Sequence, residues 1–134
     1  MGILIDTCIW IDVEQGNLLP ADVAAIAGKE PVYLSPVTIA ELKFGAESSS
    51  SLEIRQQRLA ALARLRTKPV LRIDDATGEI FGSLAATLKN SGKNPRPRIQ
   101  DIWLASQAIQ YGFTFLTRNK NDFKDIPGLQ ILSM

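Results

Sequence analysis

The sequence predicts an α/β fold, with a mostly parallel sheet of about five short strands covered by helices. Three observations lead there. Short apolar, β-branched runs alternate with longer helical segments, the order that builds parallel sheets. The strand candidates are short and mostly apolar, with Ile3-Leu4-Ile5 apolar throughout, as strands buried on both faces are. Finally, 134 residues with 46% hydrophobic and 22% charged content can form one core, so residues 1–134 are read as a single domain.

The elements follow in order. Ile3-Leu4-Ile5 is a β-branched apolar run, too short for a core helix, and reads as a buried strand ending at Asp6. Residues 7–14 place Ile9, Trp10 and Val13 at helical spacing, and Gly16-Asn17 stops them. Residues 21–29 form an alanine-rich helix. Val32-Tyr33-Leu34 is a second strand. Ser35 at the N-cap and Pro36 at the first helical position start a helix that ends near 45–48. Ser48 to Ser51 separates it from a long helix over 52–67, with Leu59, Leu62 and Leu65 on one face and Arg55, Arg58 and Arg64 toward solvent.

Val70-Leu71-Arg72-Ile73 reads as a third strand, and Asp74 or Asp75 caps the next helix, which turns Ile80, Phe81, Leu84 and Leu88 inward and ends at Asn90-Ser91-Gly92. A polar loop over 93–98 leads to a helix over 99–110. Residues 113–117 form a fourth strand and 129–132 a fifth.

Composition narrows the chemistry. One cysteine, Cys8, excludes an internal disulfide and suits a reducing cytoplasm. The apolar start lacks a basic segment and is interrupted by Asp6, so it is not read as a signal peptide. No apolar run approaches the ~18 residues of a membrane span. There is no histidine, which removes the commonest general base and transition-metal ligand. A metal must then be held by oxygen, which points to Mg²⁺ or Mn²⁺. Net charge is +1. If four of the 14 acids sit on a metal, the remaining surface is about +5, compatible with a polyanionic substrate.

Four acids stand out on this map. Asp6 lies at the carboxyl end of the first strand, Glu41 just over one turn into the helix after the second, and Asp122 in the loop after residues 113–117. Carboxyl ends of parallel strands, and the helix starts that follow them, face one edge of the sheet. Asp101 lies near the start of the helix over 99–110, after a loop whose path the sequence does not define. Two unit charges ~4 Å apart repel by roughly 4 kcal/mol at an effective dielectric of 20. Such a cluster requires protons or cations, and a carboxylate-held divalent metal can activate water against a phosphodiester.

Ile3 to Ile11, Thr38 to Gly45, Asp101 to Ala105 and Leu116 to Phe123, in that order and spacing, resemble the PIN domain of VapC-type toxins along essentially the whole chain. The resemblance implies a three-layer α/β/α sandwich and an Mg²⁺- or Mn²⁺-dependent endoribonuclease cutting structured RNA such as tRNA or rRNA. It further implies the toxin half of a toxin–antitoxin pair, a cytoplasmic protein that dimerises and is inhibited by a cognate antitoxin. It assigns Asp6, Glu41, Asp101 and Asp122 as the catalytic, metal-binding quartet, with Thr7, Thr117 and Asn119 supporting them. Gln100 stands where many relatives place another acid.

Each residue also has an ordinary reading. Asp6 or Thr7 can cap the first helix, Glu41 can be a solvated helix residue, Asp101 can favour the helix dipole, and Asp122, Thr117 and Asn119 can be turn formers. Trp10 and Trp103 read as core or dimer-interface residues. Lys43, Lys93, Arg96, Arg98, Arg118 and Lys120 lie in or beside the acidic elements and are candidates for RNA phosphates, against the alternative of a solvated basic face. Two further classes compete: a catalytically silent module that binds RNA or protein, and an aspartate-dependent phosphatase with Asp6 as nucleophile. The latter wants a second aspartate two residues on, where Cys8 stands.

Overall fold

The structure is a computed structural model and describes residues 2–134. Four strands, β1 (Ile3–Ile5), β2 (Val32–Tyr33), β3 (Thr114–Thr117) and β4 (Ile131–Ser133), form one sheet in the order β2-β1-β3-β4. Every pairing is parallel, with Ile5 opposite Leu116 and Leu116 opposite Leu132. The helices are α1 (Thr7–Glu14), α2 (Pro20–Ala27), α3 (Pro36–Glu47), α4 (Leu52–Leu65), α5 (Asp75–Asn90) and α6 (Ile99–Tyr111), with short 3-10 turns at Arg96–Arg98 and Lys120–Asp122.

Adjacent residues of the central strands feed two cores, one on each face. Leu4 and Phe115 pack with Leu84, Leu88, Ile102 and Ala105 of α5 and α6. Ile3, Ile5 and Leu116 pack with Ile9, Trp10, Val23 and Ala27 of α1 and α2. This makes the three-layer α/β/α arrangement, and it explains why the strands carry no polar face. Trp10 is a core residue of the second cluster, and the ring of Trp103 stacks on that of Phe81 at 4.3 Å. Among the described residues no helix is long and apolar enough to cross a membrane.

The local start signals act as the residue chemistry dictates. The Ser35 hydroxyl accepts from the Val37 amide at 3.0 Å, with Pro36 next. Ser51 accepts from the Ile54 amide at 3.3 Å. Asp74, rather than Asp75, caps α5 and shares a reciprocal box with Thr77.

The expected strand over 70–73 is not one, so the sheet has four strands instead of about five. Its sole ladder contact is a parallel bridge between Leu34 and Val70. The Gln107 side-chain amide donates to the Leu71 carbonyl at 2.9 Å, and the Tyr111 hydroxyl donates to the Arg72 carbonyl at 3.3 Å. Side chains of α6 thus satisfy the segment where a strand would need a ladder. The last strand also runs one residue beyond its expected end, at Ile131–Ser133.

In this strand order the chain leaves β1 toward one edge of the sheet and β3 toward the other. The crevice between their carboxyl ends is the topological switch point, where ligands bind in open α/β sheets. Asp6 and Thr117 flank it.

Candidate active site

Asp6 directly follows β1, and its backbone N–H donates to the Leu116 carbonyl at 2.9 Å. It occupies the N-cap position of α1, though its side chain closes no capping hydrogen bond there. The carboxylate is 6% exposed. Its Oδ2 accepts from the Thr117 hydroxyl at 2.7 Å and from the Cys8 thiol at 3.3 Å. Burial raises its pKa, and these donors only moderate the rise. Burial likewise pushes the Cys8 thiol up to about 11, so at neutral pH it remains a protonated donor.

Glu41 approaches from α3. The Thr7 hydroxyl donates to Glu41 Oε1 at 3.3 Å and is itself 2.8 Å from the hydroxyl of Thr38. Burial raises the Glu41 pKa, Thr7 counters it, and the charges of Asp6 and Asp101 add to the rise. Asp101, in the first turn of α6, is pushed up to about 6 by burial first, then by Asp6 and Asp122, with Arg98 opposing. Asp122 closes the 3-10 turn Lys120–Asp122 and is exposed. The fold therefore brings Asp101, which the sequence could not place, into electrostatic reach of the other three acids.

The supporting residues occupy distinct positions. Thr7 and Thr117 are buried and bonded to acids as described. Asn119 donates its backbone N–H to the Thr117 hydroxyl at 2.9 Å, and its side chain lines a depression with Cys8, Asp12, Asn17 and Arg118. The basic residues divide. Arg118 pairs with Asp12 at 2.8 Å and Lys43 with Glu47 at 3.2 Å. Lys93 and Arg98 both bind Asp125, at 2.7 and 2.8 Å. Arg96 and Lys120 are exposed. Residues overlooked in the sequence are Thr38, Cys8 and Asp125. Thr38 and Cys8 lay within quoted motifs, but only the fold shows what they touch.

The donor set is oxygen-only and mutually repulsive, with Asp6, Glu41 and Asp101 desolvated by burial, which fits a hard divalent cation. Among the described residues no three His, Cys, Asp or Glu side chains close up tightly enough to cage an ion. Mg²⁺ does not require such a cage, since it keeps several waters and uses one or two carboxylates. Carboxylates facing one another without a counter-ion also gain by standing apart.

Residues 3–129 match the family model described as the PIN domain. The chain is 33% identical over 125 residues to Ribonuclease VapC5 of Mycobacterium tuberculosis, covering 93% of this chain and 87% of that protein. The crystal structure of VapBC-5 from the same organism, a member of the VapBC family of toxin-antitoxin systems, matches with a TM-score of 0.75 and 27% identity over 99% of this chain and 98% of that one. VapBC2 of Rickettsia felis, crystallised with a promoter DNA fragment, matches with a TM-score of 0.85 at 21% identity, over 100% and 99% of the two chains, a likeness of fold.

Proposed function

The chain belongs to the PIN-domain family and, within it, to the VapC ribonucleases; on that premise we propose that it is an Mg²⁺- or Mn²⁺-dependent endoribonuclease, the toxin of a toxin–antitoxin pair. The observation that supports this most is the coupling of Asp6, Glu41, Asp101 and Asp122 at the switch point of the sheet. Three of these carboxylates have raised pKa values through burial, a state that a divalent cation relieves.

When bound, the metal supplies a water of lowered pKa and positive charge at the scissile phosphodiester. The chain's own residues prepare the site. Thr117 and Cys8 hold Asp6 in one orientation, and Thr7 steers Glu41 toward the shared space. Asp101, raised to about 6 by burial and by the charges of Asp6 and Asp122, is mostly ionised above that pH and so available to a cation. Asp122 completes the acidic edge from the solvent side.

The substrate is structured RNA, with tRNA and rRNA the first to test, and the exposed side chains of Arg96 and Lys120, in no salt bridge among the described residues, would contact its phosphates. Lys43, Lys93, Arg98 and Arg118 would first have to leave their carboxylate partners. A cognate antitoxin covers the site in the resting cell, the toxin pairs as a homodimer, and both act in the cytoplasm.

The deciding experiment uses purified, antitoxin-free protein with Mn²⁺ and total RNA. Asp6→Asn, shown folded by circular dichroism, should lose cleavage by at least about a hundredfold. Cleavage by that variant at the rate of the unmodified protein would end this reading.

A further inference from the structure

Arg98 and Asp125 were not joined by any sequence signal, and the fold makes them one unit. Arg98 immediately precedes α6, the helix that carries Asp101. Its guanidinium makes two parallel bonds to Asp125, Nη1 to Oδ2 and Nη2 to Oδ1, both at 2.8 Å. Nη2 also donates to the backbone carbonyl of Asp122 at 2.6 Å, and Lys93 Nζ donates to Asp125 Oδ2 at 2.7 Å. Arg98 therefore spans from the Asp101 helix to the turn bearing Asp122, 24 residues away.

From this we propose that Arg98 and Asp125 form a clamp that sets Asp122 against Asp101, making both of them positioning residues of the acidic site. The proposal rests on the reading of Asp122 as a metal-binding acid. Asp122 lies on a three-residue 3-10 turn, a conformation with strained hydrogen bonds and little rigidity of its own. Something outside the turn must hold it. On one side Phe123 is buried and stacks on Phe115 at 4.6 Å. On the other side the sole cationic tie is Arg98, among the described residues.

The clamp is stronger than a surface ion pair. Arg98 and Asp125 side chains are 20% and 21% exposed, and the pairing is a planar fork on a carboxylate, which fixes direction as well as distance. Arg98 first and Lys93 next hold the Asp125 carboxyl far below the usual carboxylate range, so it stays charged and paired at neutral pH. One cation thus ties the turn that carries Asp122 to the helix that carries Asp101.

The test uses antitoxin-free full-length protein and three readouts: Mn²⁺ affinity by calorimetry and amide hydrogen exchange at 120–125 without metal, both free of RNA, and cleavage kinetics on RNA. Arg98→Lys keeps the charge and removes the fork, Asp125→Asn keeps the shape and removes the charge, and Asp122→Asn serves as the reference. Each single clamp variant should weaken Mn²⁺ about tenfold and speed exchange of the Asp122 and Phe123 amides. The double variant should lose no more than the worse single one. If Asp125→Asn fails to fold, Arg98→Lys alone carries the decision. Unchanged affinity and exchange in the clamp variants, with binding lost in Asp122→Asn, overturns the clamp and leaves the site reading intact. Unchanged Mn²⁺ binding in Asp122→Asn overturns the reading beneath it, and the clamp with it. A raised KM for RNA in Arg98→Lys, with kcat and Mn²⁺ affinity unchanged and Asp125→Asn silent, makes Arg98 a phosphate contact and overturns the clamp as well.

Discussion

Thr117 donates its hydroxyl hydrogen to Asp6 Oδ2 at 2.7 Å, joining the ends of β3 and β1 across 111 residues of sequence. The Thr117 hydroxyl oxygen in turn accepts the Asn119 backbone N–H at 2.9 Å. A threonine hydroxyl has one hydrogen to give and two lone pairs, so its orientation is settled by these two partners. It locks the buried acid to the loop that leads to Asp122.

Thr117→Val keeps the shape and removes both bonds. It should cost ~1–3 kcal/mol by stranding a buried acceptor and lower RNA cleavage about 10- to 100-fold. Thr117→Ser should recover most of both. Thermal melts and initial cleavage rates at saturating Mn²⁺ test this, and a valine variant as active as the original protein would remove Thr117 from the site.

The raised acids give the metal-free protein an inverted pH response. Asp101 has a folded-state pKa of about 6 against an ordinary 3.8, and Asp6 and Glu41 shift in the same direction. Between about pH 4 and 6 the folded state then holds more protons than the unfolded chain, so stability falls as pH rises through that window. Asp125 is shifted down, and its contribution is complete above its ordinary pKa, so it does not reverse the trend there. The metal-free melting temperature should be higher at pH 5 than at pH 7.5, by roughly 3–5 °C per kcal/mol of difference. Saturating Mn²⁺ should close the gap, because the ion binds only the charged form. Asp101→Asn should flatten the profile. A metal-free melting temperature that rises from pH 5 to 7.5 contradicts the assignment.

How much of this was legible in the sequence depended on range. Ile3-Leu4-Ile5 running into Asp6, and Ser35-Pro36 opening α3, are local patterns, and the fold repeats them. Glu41 and Asp122 were placed by the rule that parallel strands end on one edge. Asp101 could not be derived, because its position follows from the path of 93–98, and that path is held by Arg98 on residues 24 to 27 positions away. The carboxylate partners of the basic residues were hidden for the same reason. Arg118 finds Asp12 across 106 residues, a pairing no local pattern announces. The segment 70–73 carried every local mark of a strand, but its Leu71 and Arg72 carbonyls are taken by Gln107 and Tyr111 of α6.

That last contact can be tested directly. Gln107 is fully buried; it takes the Ser35 hydroxyl hydrogen on Oε1 and gives Nε2–H to the Leu71 carbonyl at 2.9 Å. Gln107→Leu matches the volume closely and strands both partners. At ~1–3 kcal/mol for each of the two buried unsatisfied groups, the loss should be about 2–6 kcal/mol in urea denaturation. A variant unfolding at the original midpoint would show that water reaches these groups, and that this bond does not replace the missing strand.

Thr38 extends the site one step beyond the acids. The Thr7 hydroxyl commits its single hydrogen to Glu41, so at 2.8 Å Thr38 must be the donor to Thr7. The result is a directed chain, Thr38 to Thr7 to Glu41, with Thr38 fully buried one turn before Glu41 on the same helix. Thr38→Val removes the donor that orients Thr7 and leaves the volume intact. It should lower kcat several-fold with KM for RNA unchanged, since no substrate group touches this buried position, and Thr38→Ser should restore the rate. Thr7→Val should cost more, up to about tenfold, because it removes the bond to Glu41 itself. If the residues act in series, Thr7→Val combined with Thr38→Val is no slower than Thr7→Val alone. Losses that multiply in the double variant would mean two separate effects on packing and would break the chain.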